Sequence, residues 1–245
     1  MSARTMLVSA TQIVRRFGQG AAAVEALRGV NVAFEAGQFT AIVGPSGSGK
    51  STLMHCLAGL DRPTSGEIQI DGRPLASLSD AALTKLRRER IGFIFQSFNL
   101  LPVLSARENV ELPLRLGGTA IDDGWIDELI ATVGLTDRQT HRPAELSGGQ
   151  QQRVAVARAL ASRPAVVFAD EPTGNLDSRS SGEVLDLLRR SVDDYGQTLV
   201  MVTHDARAAA RADRIVALAD GVIVHDGPVP GGPDAVLDLM KEIGQ

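Results

Sequence analysis

The feature that most constrains this chain is the octapeptide Gly-Pro-Ser-Gly-Ser-Gly-Lys-Ser at residues 44–51, between an apolar run (39–43) and a run with helical periodicity (51–60). Its glycines let backbone N–H groups point inward, its lysine can reach β- and γ-phosphates, and its last serine can bind Mg²⁺. A helix N-terminus behind the loop adds a positive dipole end. The alternative is a glycine-rich turn with an exposed lysine, which the flanking strand and helix disfavour. The pattern predicts a phosphate-binding loop made of Gly44, Pro45, Ser46, Gly47, Ser48, Gly49, Lys50 and Ser51, followed by Thr52.

Composition limits the classes of protein this chain can be. Its 245 residues, 44% of them hydrophobic, are enough for one large α/β domain or a core with a smaller lobe. The net charge of −4 offers no general attraction for nucleic acid or anionic lipid, so we expect no nucleic-acid partner. No apolar run approaches the roughly 20 residues of a membrane span, and residues 1–11 do not resemble a secretory signal. We therefore expect a cytosolic chain whose single cysteine, Cys56, is a buried apolar residue and forms no disulfide.

Apolar runs and turn signals predict an α/β fold. Residues 6–17, 23–34 and 39–43 indicate an antiparallel start that leads into one buried strand, and residues 66–70 add another strand before an Asp-Gly turn. The second half alternates strands with helices, which implies a mostly parallel sheet. Its expected elements are strands at 165–169 and 198–202, helices at 180–192 and 205–212, a hairpin at 215–224 and a terminal helix at 234–243.

A helical stretch interrupts this alternation at residues 97–163 and predicts a lobe inserted into the core formed by residues 1–96 and 164–245, all within one domain. The stretch begins with an apolar loop at residues 97–102, and such loops usually contact a partner. Ser105 and Glu108 form a capping-box signature that opens a helix. Pro113 is expected to kink or end that helix.

Two further segments have residues suited to phosphate chemistry. Asp170 and Glu171 end an apolar strand, where the first can hold a metal's water shell and the second can act as a general base. The alternative is a pair of strand-end carboxylates neutralised by arginines. The pentad Leu-Ser-Gly-Gly-Gln at residues 146–150 precedes a helical run at 151–161. Ser147 can cap that helix while the glycine amides face an anion, although an ordinary capped helix start has the same first residues.

Six segments, in order, resemble the motifs of the ATP-binding cassette (ABC) ATPases. The phosphate loop resembles Walker A, Asp170 and Glu171 resemble Walker B and its catalytic carboxylate, and the pentad is identical to the family's signature. The remaining three are Gln96 as the Q-loop glutamine, residues 175–177 as the D-loop and His204 as the switch histidine. The resemblance implies an α/β P-loop NTPase (RecA-like) core with an N-terminal antiparallel β-subdomain and an inserted α-helical subdomain, and ATP and Mg²⁺ as cofactors.

The same resemblance assigns expected roles to single residues. Glu171 and His204 are the expected catalytic pair, and Ser51, Gln96 and Asp170 the expected Mg²⁺ ligands. ATP is expected to contact residues 44–52, Gln96 and, through its adenine, Phe17, where the family more often has tyrosine. Residues of a second copy are expected to complete each site, namely Ser147, Gly148, Gly149, Gln150 and Asp177. His55, His141 and His225 match no motif and have no expected role.

The sequence segments at residues 46–54, 59–66, 95–101 and 171–177 resemble those of the macrolide-exporter and lipoprotein-release branch of the family. This implies a homodimer that closes on ATP, an integral-membrane permease partner and a peripheral position on the cytoplasmic side of the cell membrane. Two other classes stay open. One is a soluble cassette acting on DNA or the ribosome, and the other a regulatory cassette whose membrane partner transports nothing. Identifying the membrane protein that co-purifies with the chain distinguishes them.

Overall fold

A computed structural model describes residues 5–18, 20 and 23–244 of the chain. Its strands are β1 (Met6–Phe17), β2 (Val24–Glu35), β3 (Phe39–Val43), β4 (Ser65–Ile70), β5 (Arg73–Pro74), β6 (Ile91–Ile94), β7 (Val166–Asp170), β8 (Thr198–Val202), β9 (Arg214–Ala219) and β10 (Val222–Pro228). Its helices are α1 (Lys50–Leu57), α2 (Asp80–Arg90), α3 (Ala106–Gly117), α4 (Asp123–Thr132), α5 (Gly148–Leu160), α6 (Ser178–Tyr195), α7 (Ala206–Ala209) and α8 (Pro233–Ile243). Among these residues, no helix combines the length and the apolar character that a membrane span needs.

The central sheet has six strands in the order β10-β9-β3-β8-β7-β6. All neighbours are parallel except β9 and β10, which confirms the predicted mostly parallel sheet. β3, β7 and β8 lie side by side, and Val202 of β8 is level with both Ile42 and Asp170. Because parallel strands end at the same edge, the residues that follow these three strands emerge next to one another.

The second sheet is antiparallel, with the order β2-β1-β4-β5, and confirms the predicted antiparallel start. A bulge interrupts β1 at Gln12, which has a φ of 51° and whose N–H donates to the Asn31 side chain. Helix α1 packs between the two sheets through Leu53 and Met54, both fully buried in the same apolar cluster as Phe34. α1 is therefore held on both sides by apolar side chains.

The segment between β6 and β7 is helical and has its own apolar cluster, which includes Val110 of α3, Leu129 of α4 and Val154 of α5. α3 does not end at Pro113 but continues to Gly117. The buried Glu111 carboxylate pairs with Arg107 and Arg115, one turn to either side, and the pair with Arg115 spans the proline. The separate cluster supports the division at residues 97–163, which stays a prediction.

Candidate functional site

The glycine-rich loop connects β3 to α1 and leaves the helix N-terminus without a side-chain cap. The N-cap residue, Gly49, has a φ of 102°, and a Cβ on it would lie 2.4 Å from the carbonyl oxygen of Ala26. A Cβ on Gly44, at φ 146°, would lie 2.0 Å from the Leu218 carbonyl oxygen. Glycine is therefore required at both positions, and the first N–H groups of α1 stay available to an anion.

Two side chains of the loop suit a phosphate ligand. Lys50 Nζ donates to the carbonyl oxygens of Gly44 at 3.0 Å and Pro45 at 2.7 Å. Burial lowers the pKa of Lys50, while the charges of Glu171 and Asp170 oppose that shift. Ser48 Oγ is buried and has no hydrogen-bond partner among the described residues. A buried hydroxyl without a partner costs free energy, which a phosphate oxygen in the loop would recover.

Asp170 ends β7 beside the start of α1. Its Oδ1 accepts a hydrogen bond from Ser51 Oγ at 3.2 Å, so the structure brings these two predicted metal ligands together. Burial raises the pKa of Asp170, and the Ser51 hydrogen bond acts in the opposite direction. His55 Nε2 lies 3.7 Å from Asp170 Oδ2, a contact the motif comparison missed. The spacing puts His55 on the Ser51 face of α1, four residues further on, but the contact itself depends on how α1 packs beside β7.

Glu171 and His204 follow the neighbouring strands β7 and β8, and His204 Nδ1 lies 2.9 Å from Glu171 Oε1. Glu171 has a φ of 45°, uncommon for a residue with a side chain, and its N–H donates to the Val202 carbonyl at 3.0 Å. The pair lines a cavity of about 520 Å³ with the phosphate loop. The other lining residues are Ala26, Ser46, Gly47, Gly49, Lys50, Ser51 and Thr52.

Gln96 lies apart from this cavity. Its side-chain amide donates to Asn175 Oδ1 at 3.4 Å, and Asn175 Nδ2 donates back to the Gln96 carbonyl at 3.0 Å. A Cβ on Gly174 would lie 2.7 Å from Gln96 Nε2. The Q-loop glutamine is thus tied to the D-loop of its own chain, and its predicted contacts with ATP and Mg²⁺ stay predictions.

The pentad does not line the loop cavity of its own chain. Its residues 148–150 are the first turn of α5, which starts three residues earlier than the sequence pattern predicted. Ser147 and Gln150 form a reciprocal capping box, and a Cβ on Gly149 would lie 2.6 Å from Ser180 Oγ on α6. Gly149 is therefore needed inside this chain for close packing of α5 and α6, whatever else it contacts.

Asp177 caps α6 and does not line the loop cavity. It accepts hydrogen bonds from the N–H groups of Arg179 and Ser180 and from the Ser180 hydroxyl, and the Ser180 bonds chiefly lower its pKa. A second cavity of about 400 Å³ shares Glu171 and His204 with the first and extends over residues 173–182. The segment that includes Asp177 therefore borders the Glu171–His204 pair.

Phe17 is the last residue of β1 and is 43% exposed. It pairs with Val24, two residues before Ala26, which lines the loop cavity. This places Phe17 on the strand next to the one that borders the phosphate loop. Its contact with adenine stays a prediction, and residues 19, 21 and 22 lie outside the described residues.

Known proteins with similar sequences are named as ATP-binding proteins. The chain is 52% identical over 214 residues to the "Macrolide export ATP-binding/permease protein MacB" of Rhodopseudomonas palustris, covering 86% of this chain and 32% of that protein. It is 50% identical over 206 residues to an "Uncharacterized ABC transporter ATP-binding protein" of Thermotoga maritima, covering 83% and 88%. The chain thus spans about a third of the length of the macrolide export relative.

Similar solved structures are ATP-binding cassettes, and they confirm the predicted fold class. One is titled "Dimeric structure of a post-hydrolysis state of the ATP-binding cassette MJ0796 bound to ADP and Pi"; it is 41% identical, has a TM-score of 0.83, and covers 92% of this chain and all of that one. The family described as ABC transporter matches residues 27–174, more than half of the chain. By its fold, its ordered motifs and these matches, the chain belongs to the ABC transporter family, as one of its ATP-binding cassettes.

Proposed function

We propose that the chain binds and hydrolyses ATP, and that ATP-driven closing and opening of two copies drives a membrane permease. One observation carries the proposal: the uncapped N-terminus of α1 and Lys50 line one cavity together with the Glu171–His204 pair. The loop is suited to anionic phosphate oxygens, and the carboxylate is suited to activating a water molecule.

The residues present fit Mg²⁺. Ser51 and Asp170 place a hydroxyl and a carboxylate oxygen 3.2 Å apart, and hard oxygen ligands are what this ion prefers. Bound there, Mg²⁺ would neutralise negative charge on the phosphate oxygens. The structure links Gln96 to Asn175 instead, so its role as a third ligand requires the Gln96 side chain to rotate.

Within the chain, the acid and the histidine have separate roles. Glu171 would accept a proton from the attacking water. Its backbone has a left-handed φ of 45°, so the chain leaves the extended line of β7 at this residue. His204 contacts Glu171 Oε1 at 2.9 Å through Nδ1 and is itself exposed, so its other ring nitrogen, Nε2, would be the one to meet a γ-phosphate oxygen, donating to it when both ring nitrogens carry hydrogen. Lys50 would exchange its two loop carbonyls for phosphate oxygens.

The second copy supplies the remaining contacts in this proposal. Ser147, Gly148, Gly149 and Gln150 form the N-terminal turn of α5 outside the chain's own loop cavity, with Ser147 exposed and Gly149 buried, and a helix N-terminus favours an anion. A head-to-tail pair places this turn against the ATP of the other copy, with Asp177 near the shared boundary. A related cassette of known structure is described as dimeric.

We also propose that a permease docks on the exposed apolar side chains just before α3 and at the C-terminal end of that helix. Leu101, Val103 and Leu116 are 44%, 72% and 69% exposed. The printed name of the macrolide export relative joins an ATP-binding part to a permease. The permease, in the same or another chain, would hold this cassette on the cytoplasmic side of the membrane, in an exporter or a mechanotransmission device.

Glu171→Gln tests the proposal. The variant should bind ATP like the wild type, lose hydrolysis by about 100-fold or more, and accumulate as an ATP-bound dimer, because the amide cannot accept a proton. Nucleotide binding, phosphate release and size-exclusion chromatography with light scattering measure these outcomes. Glu67→Gln, at an exposed position on β4, is the matched control and should behave as the wild type. Normal turnover in Glu171→Gln would remove Glu171 from its role, and no ATP binding by the wild type would refute the function.

A further inference from the structure

A cation–π pair at the end of β1 has no part in the proposed chemistry. The guanidinium carbon of Arg15 lies 4.4 Å from the centre of the Phe17 ring. The two residues are two apart on the strand, so their side chains share one face. Arg15 thus covers one face of the ring, while Phe17 keeps 43% of its surface exposed.

The arginine is itself held in place from α1. Its Nε donates to Asp61 Oδ2 at 2.8 Å, and the two side chains are only 23% and 30% exposed. Asp61 lies just after α1, where its N–H donates to the His55 carbonyl. The same segment pairs with β1 twice more, through Thr64 N–H to the Val14 carbonyl at 2.7 Å and through Arg16 N–H to Thr64 Oγ1 at 3.0 Å. The helix that begins at the phosphate loop therefore also fixes the position of Arg15.

We propose that Arg15 is a positioning residue for the nucleobase: it holds the Phe17 ring from one side so that the purine stacks on the other. This rests on the proposed binding of ATP. An aromatic side chain at the open end of a strand loses rotamer freedom when a ligand stacks on it, and a ring already held by a cation loses less. Arginine suits this position because its planar guanidinium can stack on a ring and pair with a carboxylate at once.

The neighbouring Arg16 provides a matched control. It is on the same strand, carries the same charge and is 54% exposed, with a 3.4 Å contact to Glu25 instead of a contact with the ring. Arg16→Ala therefore changes net charge near the site as Arg15→Ala does. Any effect of bulk electrostatics on the anionic ligand would appear in both variants.

Titrations of Mg·ATP and of Mg·tripolyphosphate separate base recognition from phosphate recognition. Arg15→Ala should weaken ATP binding and raise its KM by about two- to fivefold, the size of an exposed cation–π contact, with kcat unchanged. Its tripolyphosphate affinity should equal that of the wild type, because no base is present. Arg15→Lys should recover part of the loss, and Arg16→Ala should match the wild type in both titrations.

A double-mutant cycle tests that Arg15 acts through the ring. In a Phe17→Leu background, Arg15→Ala should cause no further loss of ATP affinity. Asp61→Asn, which keeps the side-chain shape, should show a smaller loss with the same selectivity for ATP over tripolyphosphate. Equal losses for both ligands, or additive losses in the double variant, would overturn the proposal. Wild-type protein that binds neither ligand would refute ATP binding itself, whereas the cycle's failure would leave ATP binding intact.

Discussion

At the level of one residue, the carboxylate of Asp170 links the proposed function to the stability of the folded chain. It is half-buried at the end of β7, and this burial raises its pKa above the ordinary aspartate range. A raised pKa means that the folded state holds the charged form less favourably than the unfolded chain does. The residue proposed to bind Mg²⁺ therefore destabilises the free protein at neutral pH.

Asp170→Asn should stabilise the nucleotide-free chain by about 1 kcal/mol at pH 7, a rise in Tm of about 2–4 °C, while hydrolysis is lost. The pKa of Asp170 is higher in the folded chain than in the unfolded chain, so the wild-type free energy of unfolding falls as pH rises from the unfolded pKa to the folded one. The stability difference between variant and wild type should therefore shrink as pH is lowered through the interval. Thermal unfolding between pH 4 and pH 8 measures it, with the exposed Asp194→Asn as control. A difference independent of pH would contradict this account.

Cys56 should be unreactive in the folded chain. The thiol is fully buried, and burial, with the charge of Asp61, raises its pKa to about 12. Only the thiolate is nucleophilic, so at pH 8 the folded protein should resist iodoacetamide, while denatured protein reacts at the ordinary rate. Mass spectrometry of the intact chain counts the added groups. Fast labelling without denaturant would show that the α1 region opens readily.

At the scale of elements, α5 connects the pentad to the apolar loop. Arg158 donates to the carbonyl oxygens of Asn99 at 2.6 Å and Phe98 at 2.8 Å, and both of those residues have positive φ. Gln152 donates to the Pro172 carbonyl at 2.6 Å and the Phe95 carbonyl at 3.4 Å. One helix thus holds both ends of the segment from Phe95 to Asn99 and the turn after Glu171.

Arg158→Ala should loosen that segment and destabilise the chain by about 1–3 kcal/mol, because two carbonyls in strained turns lose a charged donor. Hydrogen exchange of residues 96–101 should speed up more than exchange in the central sheet. Chemical denaturation and exchange mass spectrometry measure the two effects. Arg190→Ala, at an exposed position on α6, should leave both unchanged. Unaltered exchange in residues 96–101 would show that the loop is held by other contacts.

At the scale of the whole molecule, a complete site requires a second copy in the proposed function. The pentad turn lies outside the chain's own loop cavity, and its exposed N-terminal edge carries Ser147. A large cation there would conflict with closure against another copy but would leave the phosphate loop untouched.

The Ser147→Arg variant should bind ATP and lose most ATPase activity. Combined with Glu171→Gln, it should prevent formation of the ATP-bound dimer that Glu171→Gln alone accumulates. Light scattering with ATP measures dimer formation, and phosphate release measures activity. The control Ser77→Arg places the same side chain on an exposed part of the β-subdomain and should leave both properties unchanged. Unchanged activity in Ser147→Arg would argue against sites shared between copies.

Most of the proposed site was predictable from the sequence, but three details were not. His55 beside Asp170 and Arg15 against Phe17 belong to no motif, and each contact depends on how α1 sits between two sheets. Pro113 was expected to kink or end α3, and the helix continues with the Glu111–Arg115 ion pair across the position. Sequence patterns do not show which elements pack together, so they do not show that Asp61 holds Arg15 over the ring or that α1 brings His55 to Asp170.

The sequence by itself determined the phosphate loop, the acidic pair after β7, the pentad and the alternation of strands and helices, because each depends on residues that are close along the chain. Only the tertiary structure decided which strands are neighbours. The adjacency of β3, β8 and β7 brings Lys50, Glu171 and His204 to one cavity although more than 150 residues separate the first from the last. It also left the pentad outside that cavity, where α5 packs on α6 through Gly149.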